Sequence, residues 1–374
     1  MSTMISHVSE HCELKPLPRP DRRLHNSRVQ INQGILKSVT RLNYDTLQLV
    51  VKCDEGSPPI SSRAGQYATL HTPDLTKARA YSFARAPENE NPNEHTFFVR
   101  VVHGGEFSSW LAEKDRSGAP ITISGPLGKF GLDASDRTMV CIAGGSGMSA
   151  IKALLESAAN LKVKRDCIFL YGGRAQRDLY CSEEIAAIGK NWNKDYKFEF
   201  VQVLSDEPED SNWAGARGFV TEYFKSTYLD SGKMSVNNCK AFFCGPPPMI
   251  DAGAEILKNA GMDERDIHFD KFEDARSPAP VIDNTKCVLC DECLMVKPTA
   301  NCIVEVSRLI KTETSDFAGY ERVDPAYTSG LYYNTLFIDS KACIRCYACV
   351  EACPAHAISP EHDKTPRTLR QTIS

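Results

Sequence analysis

Cys343, Cys346, Cys349 and Cys353, followed by Pro354, spell C-x2-C-x2-C-x3-C-P. Thiolates at i, i+3 and i+6 can wrap a short loop around one corner of a small inorganic cluster while a fourth arrives from further away, the ligand run of iron–sulfur cubanes. Cys287, Cys290, Cys293 and Cys302 repeat the three-cysteine core, with eight residues before the last cysteine. Eight thiolates are what two [4Fe–4S] clusters require. In the crossed arrangement, Cys287, Cys290, Cys293 and Cys353 bind one cluster, and Cys343, Cys346, Cys349 and Cys302 the other.

Zinc and disulfides are the competing uses of these cysteines. Structural zinc takes two separated cysteine pairs, or Cys and His, around one ion, which leaves the third cysteine of each core without a task. Fifteen cysteines, an odd number, and the expected absence of a signal peptide speak against a disulfide framework. From about Asp283 to Ile358 the segment resembles the bacterial two-cluster ferredoxins. It departs from their simplest pattern in placing Ile303 rather than proline after Cys302, and in a long stretch between the motifs, where residues 312–333 read as an inserted loop.

The rest of the chain is read from its size and composition first. Its 374 residues exceed one ordinary core, so two or three domains are expected. With 42% hydrophobic and 25% charged residues the composition is globular. The net charge of −4 argues against a nucleic-acid partner. No apolar run approaches the roughly 18 residues of a membrane span. A soluble, cytoplasmic protein is expected, with the seven cysteines outside the ferredoxin segment as free thiols and Cys53, Cys141 and Cys167 as small core residues. Oligomeric state leaves no mark in the sequence.

Residues 1–27 are polar and proline-containing and read as a flexible leader. Beyond them, short β-rich segments from Val29 to His71, punctuated by Asn43, Gly56, Pro58-Pro59 and Gly65, suggest a small antiparallel barrel. Arg79-Ala80-Tyr81-Ser82 follows, then a strand over Thr96–Val102 that runs into Gly104-Gly105-Glu106-Phe107-Ser108, and later Gly125-Pro126-Leu127-Gly128. In this order the motifs resemble the flavin domain of the ferredoxin–NADP reductase superfamily. The resemblance implies FAD, with FMN as the alternative. It gives Arg79 a flavin phosphate to neutralise, Tyr81 an aromatic wall to supply and Ser82 a hydrogen bond near the reactive ring nitrogen. Gly105 and Ser108 lead into a helix whose exposed amides suit a pyrophosphate.

After Asp133 the pattern changes. The apolar strand Thr138–Ala143 is followed by Gly144-Gly145-Ser146-Gly147 and a helix over Met148–Leu161, and strands then alternate with helices as far as Ala260, predicting a parallel doubly wound sheet. A glycine turn there lets the backbone approach a pyrophosphate. The superfamily resemblance continues through Gly144, Gly145 and Gly147, through Tyr171-Gly172-Gly173-Arg174, and through Cys244-Gly245-Pro246-Pro247-Pro248-Met249, whose cysteine it places beside the nicotinamide. Arg174 and Arg177 could take a 2′-phosphate, stack on adenine or pair with Asp178, so NADH and NADPH both stay open. Phe272, or Phe269, is the candidate aromatic against the flavin. The expected division is a leader at 1–27, an FAD-binding β-barrel at 28–135, an NAD(P)-binding α/β domain at 136–274, a linker at 275–284, a small α+β 2[4Fe–4S] ferredoxin domain at 285–359 and a tail at 360–374.

A nicotinamide yields two electrons at once as hydride, a cluster takes one, and a flavin bridges the two. The expectation is an NAD(P)H-dependent reductase with Ser82 and Cys244 at the hydride-transfer point, donating to a partner protein. Flavin–nicotinamide modules fused to a ferredoxin resemble the reductases of multicomponent oxygenases, Rieske-type enzymes first among them. That usual fusion carries C-x4-C-x2-C spacing, which is absent here. The alternatives are a general low-potential redox module for another metalloenzyme, the reverse reduction of NAD(P)+, and a redox sensor or scaffold without turnover.

Overall fold

The computed structural model describes residues 29–272, 278–298, 302–307, 321–322 and 335–360. The expected leader, the start of the linker, the insertion at 312–333 apart from 321–322, and the tail beyond 360 lie outside the described residues.

The first unit is a six-stranded antiparallel sheet of β1 (Gln30–Arg41), β2 (Thr46–Cys53), β3 (Tyr67–His71), β4 (Arg79–Ser82), β5 (Glu94–Arg100) and β6 (Pro120–Leu127) in the order β4-β3-β6-β1-β2-β5. A bridge between Phe83 and Phe97 joins its two edges and nearly closes a barrel. Two β-rich pieces at the start of the sequence are one strand here, with an irregularity between Leu36 and Ser38. Alternation selects the core: Leu47, Leu49 and Val51 of β2 point inward with Leu36, Leu70, Phe97 and Ile123, while Lys52 is exposed. Helix α1 (Glu106–Glu113) covers the barrel with Phe107, Trp110 and Leu111.

The second unit is a parallel sheet of β7 (Thr138–Gly144), β8 (Cys167–Gly173), β9 (Phe198–Leu204), β10 (Ala216–Arg217), β11 (Cys239–Gly245) and β12 (Ile267–Lys271), ordered β10-β9-β8-β7-β11-β12. Its central strand is a continuous apolar run because both faces are covered. Met139, Cys141 and Ala143 meet α2 (Met148–Asn160) and α3 (Ser182–Lys190). Val140 and Ile142 face the side of α4 (Val220–Phe224) and α5 (Pro247–Asn259). The strand order reverses between β7 and β11, the place where such sheets bind dinucleotides.

The two units share a core, since Ala84, Phe98 and Phe130 of the barrel pack with the α2 side of the parallel sheet. A buried ion pair reinforces the seam. Lys152 Nζ pairs with Glu156 one helical turn on and donates to the Ala84 carbonyl at 3.4 Å, and the Glu156 carboxylate accepts from the Ala86 amide at 2.8 Å. Removing one partner strands the other charge. Lys152→Ala is expected to cost ~3–5 kcal/mol in equilibrium denaturation.

The third unit is small. β13 (Pro280–Ile282) pairs antiparallel with β17 (Ile358–Pro360), and β14 (Ile303–Ser307) lies between β15 (Glu321–Arg322) and β16 (Thr335–Ile338). Helices α6 (Glu292–Met295) and α7 (Ala348–Ala352) follow the two cysteine loops and contact each other. No helix among the described residues is long and apolar enough to cross a membrane.

Candidate functional site

Three chain segments converge where the barrel meets the parallel sheet. Ser82, at the end of β4, is buried, and its Oγ donates to Asp270 Oδ2 at 3.1 Å. Cys244, at the end of β11, is fully buried, with Sγ 3.9 Å from the same oxygen. Burial pushes its thiol well up, so it stands as a neutral, polarizable group. Asp270 lies in β12, beside Cys244 in the ladder. Burial, with the Glu351 charge adding to it, pushes its carboxyl up to about 7, while Ser82 and Cys244 pull the other way. Sequence reasoning brought Ser82 and Cys244 together and passed over Asp270, which carries no local motif.

Around this point stand the other expected residues. The Tyr81 ring packs on Phe107 at 5.4 Å between centroids. Arg79 donates to the Ala78 carbonyl at 3.0 Å and approaches the Glu106 carboxylate at 3.5 Å, and its side chain is partly exposed. Glycine at position 105 caps α1 with no side-chain hydrogen bond, so the first amides of the helix are open to an anion. Ser108 is buried, its hydroxyl accepting from the Val102 amide at 3.2 Å and facing the Gly105 carbonyl at 3.3 Å; it holds the turn in shape.

At the switch point, a Cβ on Gly147 would lie 2.0 Å from the Cys244 carbonyl oxygen. Only glycine lets the nucleotide turn and the Cys244-Gly245 strand end approach this closely. Gly144 ends β7, and Gly145 has a positive φ of +54° and a carbonyl that accepts from the Tyr180 hydroxyl at 2.9 Å. Gly245, at φ +145°, would set a Cβ 2.8 Å from the Gly144 carbonyl oxygen. Phe272 is half-buried against the shared core, its amide donating to the Gly245 carbonyl at 3.3 Å, whereas Phe269 is exposed.

Arg174 and Arg177 meet the barrel. Arg177 stacks over Tyr44 at 5.0 Å, and Arg174 reaches the Tyr44 hydroxyl at 3.4 Å and Asp178 at 4.0 Å. Asp178 also accepts from the Arg174 and Ala175 amides at 2.7 and 2.9 Å, which with Tyr44 hold its carboxyl below the usual range despite partial burial.

In the third unit the cysteines fall into two sets. Cys287, Cys290, Cys293 and Cys353 line one cavity, closed by Ile282, Leu336 and Ile358. Burial, reinforced by Cys287, Cys290 and Cys353 among its neighbours, pushes Cys293 up to about 12. Burial and the nearby Cys302 and Cys343 push Cys346 up to about 12, and Cys349 rises through burial with Cys346, Cys293, Cys343 and Cys302 around it. The cavity brings Cys353 to the three cysteines of the first loop, and Cys302 neighbours Cys343 and Cys346. Thiols held together and out of water resist ionising one by one, and a metal that takes their protons relieves them.

The two loops also repeat one backbone shape. Leu289 and Asp291 flank Cys290 with φ of +51° and +66°, and Arg345 and Tyr347 flank Cys346 with +59° and +57°. Left-handed non-glycine residues cost about 1–2 kcal/mol each, so a matched set around the middle cysteine of each loop marks two loops shaped for the same object. Backbone amides of Arg345 and Ala357 point at the sulfurs of Cys343 and Cys353, at 3.5 and 3.2 Å, the contacts that tune a cluster. Among the described residues no three Cys, His, Asp or Glu side chains are set to hold a single metal ion.

Three family models match along the chain. Residues 33–131 match the oxidoreductase FAD-binding domain, 141–255 the oxidoreductase NAD-binding domain and 336–359 the 4Fe-4S binding domain. The xylene/toluene monooxygenase electron transfer component XylA of Pseudomonas putida is 39% identical over 64% of this chain and 65% of its own length. The phenol 2-monooxygenase reductase component DmpP of Pseudomonas sp. (strain CF600) is 31% identical over 67% of this chain and 68% of its own. The chain thus spans about two thirds of the length of these relatives. Among solved structures, a ferredoxin reductase in carbazole 1,9a-dioxygenase matches at 28% identity with a TM-score of 0.56, covering 66% of this chain and 70% of that one. The Amycolatopsis cytochrome P450 reductase GcoB matches at 29% with 0.58, covering 65% and 70%.

Fold and site define a flavin- and nicotinamide-binding oxidoreductase. The chain belongs to the family of FAD- and NAD-binding reductase components that includes these electron-transfer proteins, and it carries a 4Fe-4S binding domain at its C-terminal side.

Proposed function

We propose that this protein takes electrons from NADH or NADPH through FAD to two [4Fe–4S] clusters and hands them to a partner protein, a terminal oxygenase of the Rieske type or another. The convergence of Ser82, Cys244 and Asp270 at the junction of the two nucleotide-binding units carries the reading. Relatives named for monooxygenases and for a dioxygenase support an oxygenase as the acceptor.

The barrel residues would hold FAD, which when bound would supply the chemistry that matches a nicotinamide's electron pair to one-electron clusters. The residues do the rest. Arg79 and the open N-terminus of α1 would bind the flavin phosphates, and Tyr81 would wall the ring. Gly144, Gly145 and Gly147 would admit the dinucleotide pyrophosphate, with Cys244 and Gly245 below the nicotinamide. Ser82 would orient the reacting face, and Asp270, neutral below about pH 7, would share a proton with the Ser82 hydroxyl. Cys287, Cys290, Cys293 and Cys353 would hold one cluster, and Cys302, Cys343, Cys346 and Cys349 the other.

Anaerobic titration with NADH and with NADPH, following flavin and cluster bleaching, tests this. Both chromophores should bleach, and a change confined to the flavin would overturn it. The arginines by Asp178 decide between the nicotinamides. Arg174 has an exposed side chain and only a loose hold on Asp178, so it can turn to a 2′-phosphate. Arg174→Ala is therefore expected to lower kcat/KM for NADPH about tenfold more than for NADH, the worth of one charge-assisted contact.

A further inference from the structure

We propose that the two cysteine sites work in a fixed order: the set Cys302, Cys343, Cys346 and Cys349 receives electrons from the flavin site first, and the set Cys287, Cys290, Cys293 and Cys353 passes them outward. This rests on the proposed function and adds the direction of flow within the chain.

The two sets are alike in loop shape and unlike in surroundings. The Tyr67 hydroxyl, in β3, donates to the backbone carbonyl of Cys346 at 2.6 Å. Tyr67 stands directly opposite Ser82 in the β3–β4 ladder, and opposed residues of an antiparallel pair project to the same face. One residue therefore joins the hydride-transfer corner to the middle cysteine of this loop. Tyr67, Val29 and Leu127 of the barrel form a buried apolar cluster with Ala348, against which Cys346 packs. A Cβ on Gly128 would sit 2.8 Å from the Tyr67 ring, so the turn after β6 is fitted closely beneath it. The Lys129 amide then donates to the Glu351 carboxylate in α7 at 3.0 Å. Loop and helix are seated on the barrel by two long-range hydrogen bonds and an apolar patch.

The other set is held more lightly: among the described residues Val296, just after α6, packs on the same barrel cluster, and no counterpart of the Tyr67 hydrogen bond reaches Cys290. Among the described residues, the cavity of Cys287, Cys290, Cys293 and Cys353 is lined by residues of its own unit, from Ile282 to Ile358. Beside Cys287, Val288 is 63% exposed, so this loop reaches the molecular surface. Cys349 of the inner set packs in the same apolar cluster as Cys293 of the outer set, and the helices that carry them, α7 and α6, touch, which makes the sites adjacent. Electron tunnelling decays exponentially with distance, so the set in contact with the barrel fills first and the surface set empties to the acceptor. The balance closes: NAD(P)H becomes NAD(P)+, giving two electrons and one proton. The proton is released, and each cluster takes one electron before the two pass on. Tyr67 is a positioning residue in this scheme.

The test is anaerobic mixing of the reconstituted holoprotein with NADH or NADPH, trapped at successive times for EPR, in the unaltered chain and in Tyr67→Phe, Cys346→Ser and Cys290→Ser. The first cluster signal to appear should be the one that Cys346→Ser alters. Tyr67→Phe should shift that signal and slow its appearance by about threefold or more, the worth of one hydrogen bond. If the earliest signal is the one altered by Cys290→Ser, or if Tyr67→Phe perturbs that one instead, the order is overturned. Should a serine variant lose both clusters, hydrogen exchange of Tyr67→Phe decides: faster exchange over residues 342–348 with 287–291 unchanged supports the seat, and the reverse overturns it. If neither nicotinamide reduces any cluster in the unaltered protein, the functional reading fails and the order with it, while exchange still reports separately on the seat.

Discussion

Cys293→Ala, reconstituted anaerobically with iron and sulfide, is expected to hold about four iron atoms per chain in place of about eight and to lose much of the order of the C-terminal unit. Among the described residues Cys293 is buried in a core that also includes Cys302 and Cys343. Cys287, Cys290 and Cys353 line a shared cavity with it, so metal binding is expected to contribute to the folding free energy of the unit. Iron counting, visible absorption and limited proteolysis of the third unit read the effect together. The same substitution at Cys181, buried in the nucleotide-domain core, should leave the iron unchanged. Full iron in Cys293→Ala, or zinc in place of iron in the unaltered native protein, would remove the two-cluster assignment.

Asp270→Asn should have the largest effect on the hydride step. The Asp270 carboxyl is raised to about 7, chiefly by burial, so it is neutral below that value and ionised above it. Between the ordinary carboxyl pKa near 4 and about 7 the folded protein keeps a proton that the unfolded chain has released. The contribution of this group to stability is therefore fully present below pH 4 and is lost as pH rises through 7. Asparagine cannot ionise, so Asp270→Asn should flatten that part of the stability profile. In single-turnover reduction of the flavin, the unaltered protein should slow above about pH 7 as the acid form is titrated. Asp270→Asn should be slower by about 100-fold and level across the same window, since a positioned acid contributes about that much. An unaltered pH profile in Asp270→Asn would remove the proton role and leave Ser82 and Cys244 to act alone.

The residues most legible in the sequence are those whose geometry is local. Three cysteines at fixed spacing curve one loop, and the spacing alone announces a cluster. A glycine turn between an apolar strand and a helix announces a nucleotide turn, because strand, turn and helix are contiguous in the chain. The barrel and the parallel sheet were likewise written in short-range periodicity: alternation in β2, and an unbroken apolar run in β7 that requires cover on both faces.

What the sequence could not supply is held together over long separations. Asp270 lies 188 residues from Ser82, on a strand that ends like many others. It joins the site only because β12 is laid beside β11 and the barrel is packed against that edge of the sheet. Tyr67 lies 279 residues from Cys346, inside an unremarkable strand. A pattern read along the chain reports the backbone geometry of a few neighbouring residues. Which carboxyl is buried against Ser82 and Cys244, and which of two similar cysteine loops rests on the barrel, follow from strand order and from how three units pack, and only the tertiary structure contains these.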